Sequence, residues 1–325
     1  MKKNIAVVYG GDSSEFEVSV KSSINVFKSL DPAIYNVWKV QMKGLDWDVY
    51  EDNKVIAAVD KNDFSFLRNS EKIKFDFAYI TIHGTPGEDG KLQGYFDMVK
   101  IPYSNCGVYS SALTFNKYFC INYLRNFNVP MAKSVRLFKG DPVDSDQLIA
   151  ELGLPVFVKP NAGGSSIGVT KVMGKDQLLD ALQVAVNESS DVLVEQFIDG
   201  LEFTCGLVKL SNQELIFPVT EVIPKNEFFD YEAKYKEGKT DEITPARISP
   251  QLTKKIQELS SRIYDLCDCS GIVRMDYILK DNEFYFLEVN TTPGMTATSF
   301  VPQQIAAMGR NLGDVLGLII EDKLR

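Results

Sequence analysis

Short unbroken apolar runs alternate along this chain with longer stretches in which apolar residues recur at helical spacing, and that alternation predicts a mixed α/β protein. Ile5 to Tyr9 is an apolar run that reads as a buried strand. It meets Gly10-Gly11, after which Ser14-Glu15-Phe16-Glu17 has the form of a capping box, opening a helix with Val20, Ile24 and Phe27 on its apolar face. Strand, glycine turn and helix start an open α/β unit, and Phe75 to Ile82 reads as a later strand of the same sheet, with the first domain ending near Pro102. Further on, Val156 to Lys159, Val169 and Val192 to Glu195 read as strands. Ser249-Pro250 is a cap followed by a first-turn proline, and Leu252, Ile256, Leu259, Ile263 and Leu266 give that helix its stripe. Lys225 to Ala246 is a long polar, aromatic-studded loop, a length that in a compact protein points to a functional lid. No internal repeat is evident.

Two apolar segments near the end, Ile272 to Leu279 and Phe284 to Val289, flank Asp281-Asn282-Glu283 and read as a hairpin. A three-residue turn sets Asp276 opposite Glu288 and Arg274 opposite Asn290 on one face; a two-residue turn would separate them. Opposed carboxylates repel each other unless something sits between them, and with an amide oxygen beside them they form an all-oxygen nest suited to Mg2+. Either acid alone would be read as a surface charge. The joint pattern favours a metal site.

Composition narrows the field. At 325 residues the chain exceeds what one core usually serves, so two or three domains are expected. The net charge of -9 argues against a nucleic-acid partner, which needs a basic face, but leaves room for a local ATP site. No run approaches a membrane span, and the short apolar run behind Lys2-Lys3 does not make a signal peptide. Five cysteines without a C-x-x-C pair suggest neither a disulfide framework nor a zinc site, which fits a reducing cytoplasm.

Gly163-Gly164-Ser165-Ser166-Ile167-Gly168 can bring backbone N–H groups to phosphate oxygens, although it is neither a Walker A nor a G-x-G-x-x-G sequence. Alone it would be only a hairpin turn. Lys159, between Val158 and Pro160 at a strand end, requires an anion or solvent to compensate it and shifts the reading toward phosphate. The sole histidine, His83, precedes a loop containing Gly84, Gly87, Glu88 and Gly90 at the carboxyl end of a strand, where open α/β sheets place ligands. Glu15 lies beyond the first strand for the same reason, against the plainer reading of a first-turn glutamate favoured by the helix dipole.

In their order and spacing, these residues resemble the D-alanine:D-alanine ligase family of the ATP-grasp superfamily over nearly the whole chain. The carriers are Gly10-Gly11 with Glu15 and Ser19, His83 to Gly90, Lys159-Pro160 with Gly164 to Ser166, Asp230-Tyr231-Glu232-Ala233-Lys234-Tyr235, Arg274-x-Asp276, and Glu288-x-Asn290 through Met295. The resemblance implies a three-domain ATP-grasp architecture: an α/β substrate-binding domain with an open parallel sheet (1–102), a central domain with the phosphate loop (103–194), and a C-terminal domain with lid and metal site (195–325). It also implies cytoplasmic, ATP-dependent condensation of two D-alanines by a homodimer. Glu15 would hold the first ammonium, with His83 close by. Lys117, Lys159, Ser165, Ser166 and Lys234 would contact ATP phosphates, Glu195 and Ile198 would border adenine, and Glu202 the ribose. Asp276, Glu288 and Asn290 would hold Mg2+ or Mn2+, two ions in all. Arg274 and the Gly294 N–H would form the oxyanion site, and Ser299 would grip the second carboxylate. Tyr235 and Ser165 would join Glu15 in a triad closing the lid, and this tyrosine points away from D-lactate-using relatives.

Four departures stand out: Asn116 for aspartate, Gln196 for lysine, Thr298 for histidine, and Asn161-Ala162-Gly163 for a more polar stretch, expected to loosen the phosphate loop. Because Lys234, Arg274 and Glu288 are all present, a silent nucleotide-binding homologue is disfavoured. A dinucleotide oxidoreductase lacks its glycine fingerprint.

Overall fold

The computed structural model describes residues 2–164, 167–224 and 240–325. The first strand, Lys3–Gly10, is flanked in parallel by Tyr35–Lys43 and Phe77–Ile80, so the centre of the first sheet is parallel as expected. Two antiparallel strands, Asp46–Glu51 and Lys54–Ala58, extend one edge and make the whole sheet mixed. The helix Phe16–Ser29 crosses between the first two strands, as a parallel connection requires.

That helix corrects two details of the sequence reading. Its N-cap is Glu15, whose side chain makes no capping bond; Ser13 Oγ instead accepts from the Glu15 N–H at 3.2 Å, so there is no capping box. Its buried positions are Ser19, Ser22, Ser23 and Val26, while Ile24 is exposed. Small hydroxyl side chains let other backbone approach closely: Ser19 Oγ accepts from the Gly10 N–H at 2.9 Å, and Ser22 Oγ from the Met295 N–H at 3.1 Å.

A second, antiparallel sheet has the order Thr170–Val172, Val156–Pro160, Asp191–Gln196, Ser134–Phe138. A third runs Thr240–Ile243, Thr220–Pro224, Leu201–Leu210, Val273–Lys280, Glu283–Asn290, with Gln213–Ile216 also paired to Leu201–Leu210. The helix Pro250–Leu266 covers this sheet with Ile256, Ile263 and Tyr264, and its cap is as read, Ser249 Oγ accepting from Leu252 N–H. One apolar cluster joins both ends of the chain: Ile5, Val26 and Phe77 of the first sheet and its helix pack with Val301, Ile305, Val315 and Ile319 of the last two helices. This packing carries the segment before Phe300 onto the end of the first sheet.

Candidate active site

The hairpin reaches the expected register by a different route. Asp281 and Asn282 both have positive φ, 50° and 62°, and form a two-residue turn in which Lys280 pairs with Glu283. A bulge then admits Leu287 as an extra residue between Phe286 and Glu288. The parity of the strand reverses there, so Phe284, Phe286 and Val289 face the core while Asp276 still opposes Glu288 and Arg274 opposes Asn290.

Asp276 is buried and held from three sides. Arg274 donates Nε to Oδ1 at 2.9 Å and Nη2 to Oδ2 at 2.8 Å, Thr204 Oγ1 donates to Oδ1 at 2.6 Å, and Asn290 Nδ2 to Oδ2 at 3.1 Å. Thr204 is a buttress that sequence reading missed, since a lone threonine in an apolar strand carries no signal. Phe300 lies beneath the Arg274 guanidinium, 5.3 Å from ring centroid to Cζ.

Asp276 and Glu288 open onto a cavity of about 570 Å3 lined from both antiparallel sheets. Phe157, Val169, Ile198, Leu201, Ile278 and Leu287 make an apolar slot, and Lys117, Lys159, Lys171, Glu195, Asp199 and Glu202 add charges to its lining. Lys159 Nζ pairs with Glu195 Oε2 at 2.6 Å, so the Glu195 carboxylate balances its charge. Lys117 Nζ reaches Glu288 Oε2 at 3.2 Å and the Gly163 carbonyl at 2.9 Å. Burial alone would lower the Lys117 pKa, but Glu288, with Glu195 and Glu88 beyond, outweighs it and the net shift is upward. Asn116, in place of the expected aspartate, caps the helix Lys117–Arg125, its side chain accepting from Phe119 N–H at 3.0 Å. Asn161, expected to loosen its loop, is instead fully buried and bonded on both sides.

A second group of side chains singled out in the sequence lies behind Gly164, which lines this cavity. His83 and Glu15 are buried beside one another, and burial, with Arg274 nearby, lowers the His83 pKa despite the opposing Glu15 charge. A neutral imidazole follows near pH 7. Gly164 packs so tightly on Glu15 that a Cβ there would lie 2.4 Å from Oε2. The turn Thr291 to Met295 is pinned to the first sheet: Glu88 accepts from Gly84 N–H at 2.7 Å and Thr292 N–H at 3.3 Å, Asn105 Nδ2 donates to Thr292 Oγ1 at 2.6 Å, and Asn25 Nδ2 to the Met295 carbonyl at 2.7 Å. Burial and the Glu15 charge push the Glu88 carboxyl up to about 8, a perturbation typical of working sites. Ser299 Oγ sits against Gly294, 2.8 Å from where a Cβ would be, and accepts from Thr296 N–H at 3.1 Å.

Glu15, His83, Arg274, Gly294 and Ser299 are thus gathered around one turn, and Lys117, Lys159, Glu195, Ile198, Glu202, Asp276 and Glu288 around the adjoining cavity. Ser165, Ser166, Lys234 and Tyr235 lie outside the described residues. Among the described residues, no group of three or more His, Cys, Asp or Glu side chains can hold a metal, and no helix is long and apolar enough to cross a membrane.

Two antiparallel sheets meeting at a cavity with lysines on one wall and strand carboxylates on the other define an ATP-grasp enzyme. Residues 4–106 match the family model described as D-ala D-ala ligase N-terminus, and residues 123–321 match D-ala D-ala ligase C-terminus. The chain belongs to the D-alanine–D-alanine ligase family. It is 52% identical over 324 residues to the D-alanine–D-alanine ligase of Bacteroides fragilis, covering 99% of this chain and 100% of the relative. It is 53% identical to that of Parabacteroides distasonis, covering 100% and 98%. Among solved structures, the VanG D-Ala:D-Ser ligase from Enterococcus faecalis superposes with a TM-score of 0.88 at 32% identity, covering 99% of each chain. The Bacillus anthracis D-alanine–D-alanine ligase complexed with ATP gives 0.80 at 29% identity, covering 99% and 98%.

Proposed function

We propose that this protein joins two D-alanines into D-alanyl-D-alanine at the expense of ATP, supplying the dipeptide for peptidoglycan precursors. The observation that carries this reading is that the Thr291 to Met295 turn lies between the group of Glu15, His83 and Glu88 on one side and strand carboxylates beside a cavity of about 570 Å3 on the other. A carboxylate bound there can be activated and captured without leaving the site.

The first D-alanine would bind with its ammonium on Glu15 beside neutral His83. Its carboxylate oxygen attacks the γ-phosphorus, ADP departs, and an acyl phosphate remains. Lys117 and Lys159 would hold the ATP phosphates, with Ser165, Ser166 and Lys234 from the phosphate loop and lid; Glu195 and Ile198 would border adenine and Glu202 the ribose. The second D-alanine, its carboxylate held by Ser299, would attack the acyl carbon as the free amine. Negative charge then grows on the former carbonyl oxygen, where Arg274 and the Gly294 N–H would receive it, and phosphate leaves as the peptide bond forms. The lid triad of Tyr235, Ser165 and Glu15 would close over the first substrate.

Asp276, Glu288 and Asn290 form a hard-oxygen set of two carboxylates and an amide, which fits Mg2+ or Mn2+ provided that phosphate oxygens and water complete the shell. Two such ions, when bound, would neutralise charge on the phosphates. We further assign the domains as residues 1–102, 103–194 and 195–325, with the protein acting as a cytoplasmic homodimer.

The test is phosphate release from ATP with D-alanine, L-alanine, D-alanine plus D-lactate, or D-alanine plus D-serine, with mass spectrometry of products. D-alanyl-D-alanine formed only with ATP and Mg2+ is expected. A mixed product preferred over the dipeptide would move the acceptor away from D-alanine, and no product from any pair would overturn the assignment.

A further inference from the structure

Asn161 stands where the phosphate loop leaves its strand, and nothing in the reaction outlined above uses it. Its side chain is fully buried, and both of its polar atoms are engaged. Oδ1 accepts from the Tyr118 N–H at 2.8 Å, and Nδ2 donates to Asp191 Oδ2 at 2.7 Å. Its backbone repeats the pattern: the carbonyl accepts from Lys117 N–H and the N–H donates to the Asp191 carbonyl, both at 3.0 Å. Asp191 is itself fixed, because Arg136 Nε donates to it at 2.6 Å and the Arg136 guanidinium lies 4.5 Å from the Phe138 ring and 4.9 Å from the Tyr118 ring. Asn161 therefore ties a rigid ion pair of the second sheet to the first turn of the helix Lys117–Arg125.

That turn begins with two N–H groups that a helix leaves without internal partners, and both go to Asn161; the third goes to Asn116. The end of this helix is thus closed to phosphate, and whatever it offers the nucleotide passes through the Lys117 side chain. Lys117 Nζ reaches Gly163 O and Glu288 Oε2 across the mouth of the cavity from a Cα whose position is set by the Asn161 bonds.

We propose that Asn161 is the positioning residue for Lys117, fixing its backbone so that the ammonium meets the nucleotide phosphates. This rests on the assignment of Lys117 to those phosphates. Without the side chain, Tyr118 N–H and Asp191 lose a buried partner, and Lys117 is free to move with the loosened turn.

The experiment is a double-mutant cycle on the full-length protein, reading the Kd of ADP with Mg2+ by calorimetry, with melting temperatures alongside. Asn161→Ala is expected to weaken binding roughly tenfold. Lys117→Ala should weaken it at least as much, and the double variant should match Lys117→Ala alone, because Asn161 acts only through that lysine. Effects that multiply, or an unchanged Kd in Asn161→Ala, would overturn the proposal and leave Asn161 a stability residue. An unchanged Kd in Lys117→Ala would instead sink the phosphate assignment, and this proposal with it. If Asn161→Ala does not fold, Asn161→Ser, which keeps a smaller polar side chain and leaves the Arg136–Asp191 pair intact, takes its place in the same cycle. Weaker binding that disappears in the Lys117→Ala background supports the role; an unchanged Kd counts against it.

Discussion

Gly164→Ala separates function from stability at one atom. Gly164 lies outside the left-handed region, so alanine meets no backbone strain, but its Cβ would stand 2.4 Å from Glu15 Oε2 and 3.0 Å from Oε1. Ordinary contact between carbon and oxygen begins near 3.4 Å, so relief requires about 1 Å of movement. The colliding atoms are the tip of a flexible side chain, which can rotate away at little cost, and the melting temperature should fall by no more than about 2 °C. The same rotation moves the carboxylate proposed to hold the first ammonium. A charge-assisted hydrogen bond is worth about 1.5–3 kcal/mol, which corresponds to roughly 10- to 100-fold in binding. Initial rates across a D-alanine titration, fitted with separate constants for the two substrates, should show the first-site KM rising by that factor. An unchanged first-site KM would refute Glu15 as the ammonium anchor. A large drop in melting temperature would show that the carboxylate cannot yield.

Three further outcomes follow from the same contacts. Gly271→Ala is the contrast: its φ is +69° and a Cβ would lie 1.8 Å from the Ser104 carbonyl oxygen, so backbone must move, and denaturant unfolding should show a loss of about 3 kcal/mol. Thr204→Val removes the 2.6 Å bond to Asp276, and the Mg2+ concentration for half-maximal rate should rise severalfold; an unchanged Mg2+ dependence would remove Asp276 from the metal site. Glu88, raised from 4.5 to about 8, holds a proton in the folded state that the unfolded chain releases. Its contribution to stability is therefore highest below its unfolded value and falls as pH rises toward about 8. Glu88→Gln abolishes that titration, so its melting temperature relative to the parent should climb by several degrees between about pH 5 and about pH 8. A difference independent of pH would show that the carboxyl is not raised.

The hairpin shows how far local patterning reaches. Phe284 and Phe286 follow strand alternation, and Val289 breaks it, which is the mark of an inserted residue; Leu287 was legible as a bulge once the turn was taken as Asp281-Asn282. Reading a longer turn placed Asp276 against Glu288 correctly because the two errors, one residue in the turn and one in the strand, cancel. The helix Phe16–Ser29 was misread for a different reason. Periodicity sorts positions by hydrophobicity, but the face turned inward is made of Ser19, Ser22 and Ser23, whose partners lie on backbone remote in sequence. Lys159, Asp276 and Glu288 were found because a charge on an apolar strand demands a partner. Asn161, Thr204 and Asn105 were not, since each is an ordinary small polar residue until its partner is known.

What local pattern cannot supply is the meeting of the chain's two ends, and this arrangement sets the geometry of the reaction proposed here. The turn from Thr291 to Met295 takes its position from Glu88, Asn105, Ser22 and Asn25, all on or beside the first sheet, and from the apolar cluster beneath it. Glu288, which faces the cavity, sits just before that turn on the strand Glu283–Asn290, with Asp276 opposite it on Val273–Lys280 and Asn290 adjoining Thr291. The spacing between the proposed amino-acid anchor and the proposed phosphate site is therefore held by side-chain hydrogen bonds to the turn and by a packed core. Interiors packed this closely change by discrete rearrangement and not by gradual yielding. On this arrangement, the lid proposed above would have to exclude water and deliver Lys234 and Tyr235; it would not have to bring the two halves of the site together.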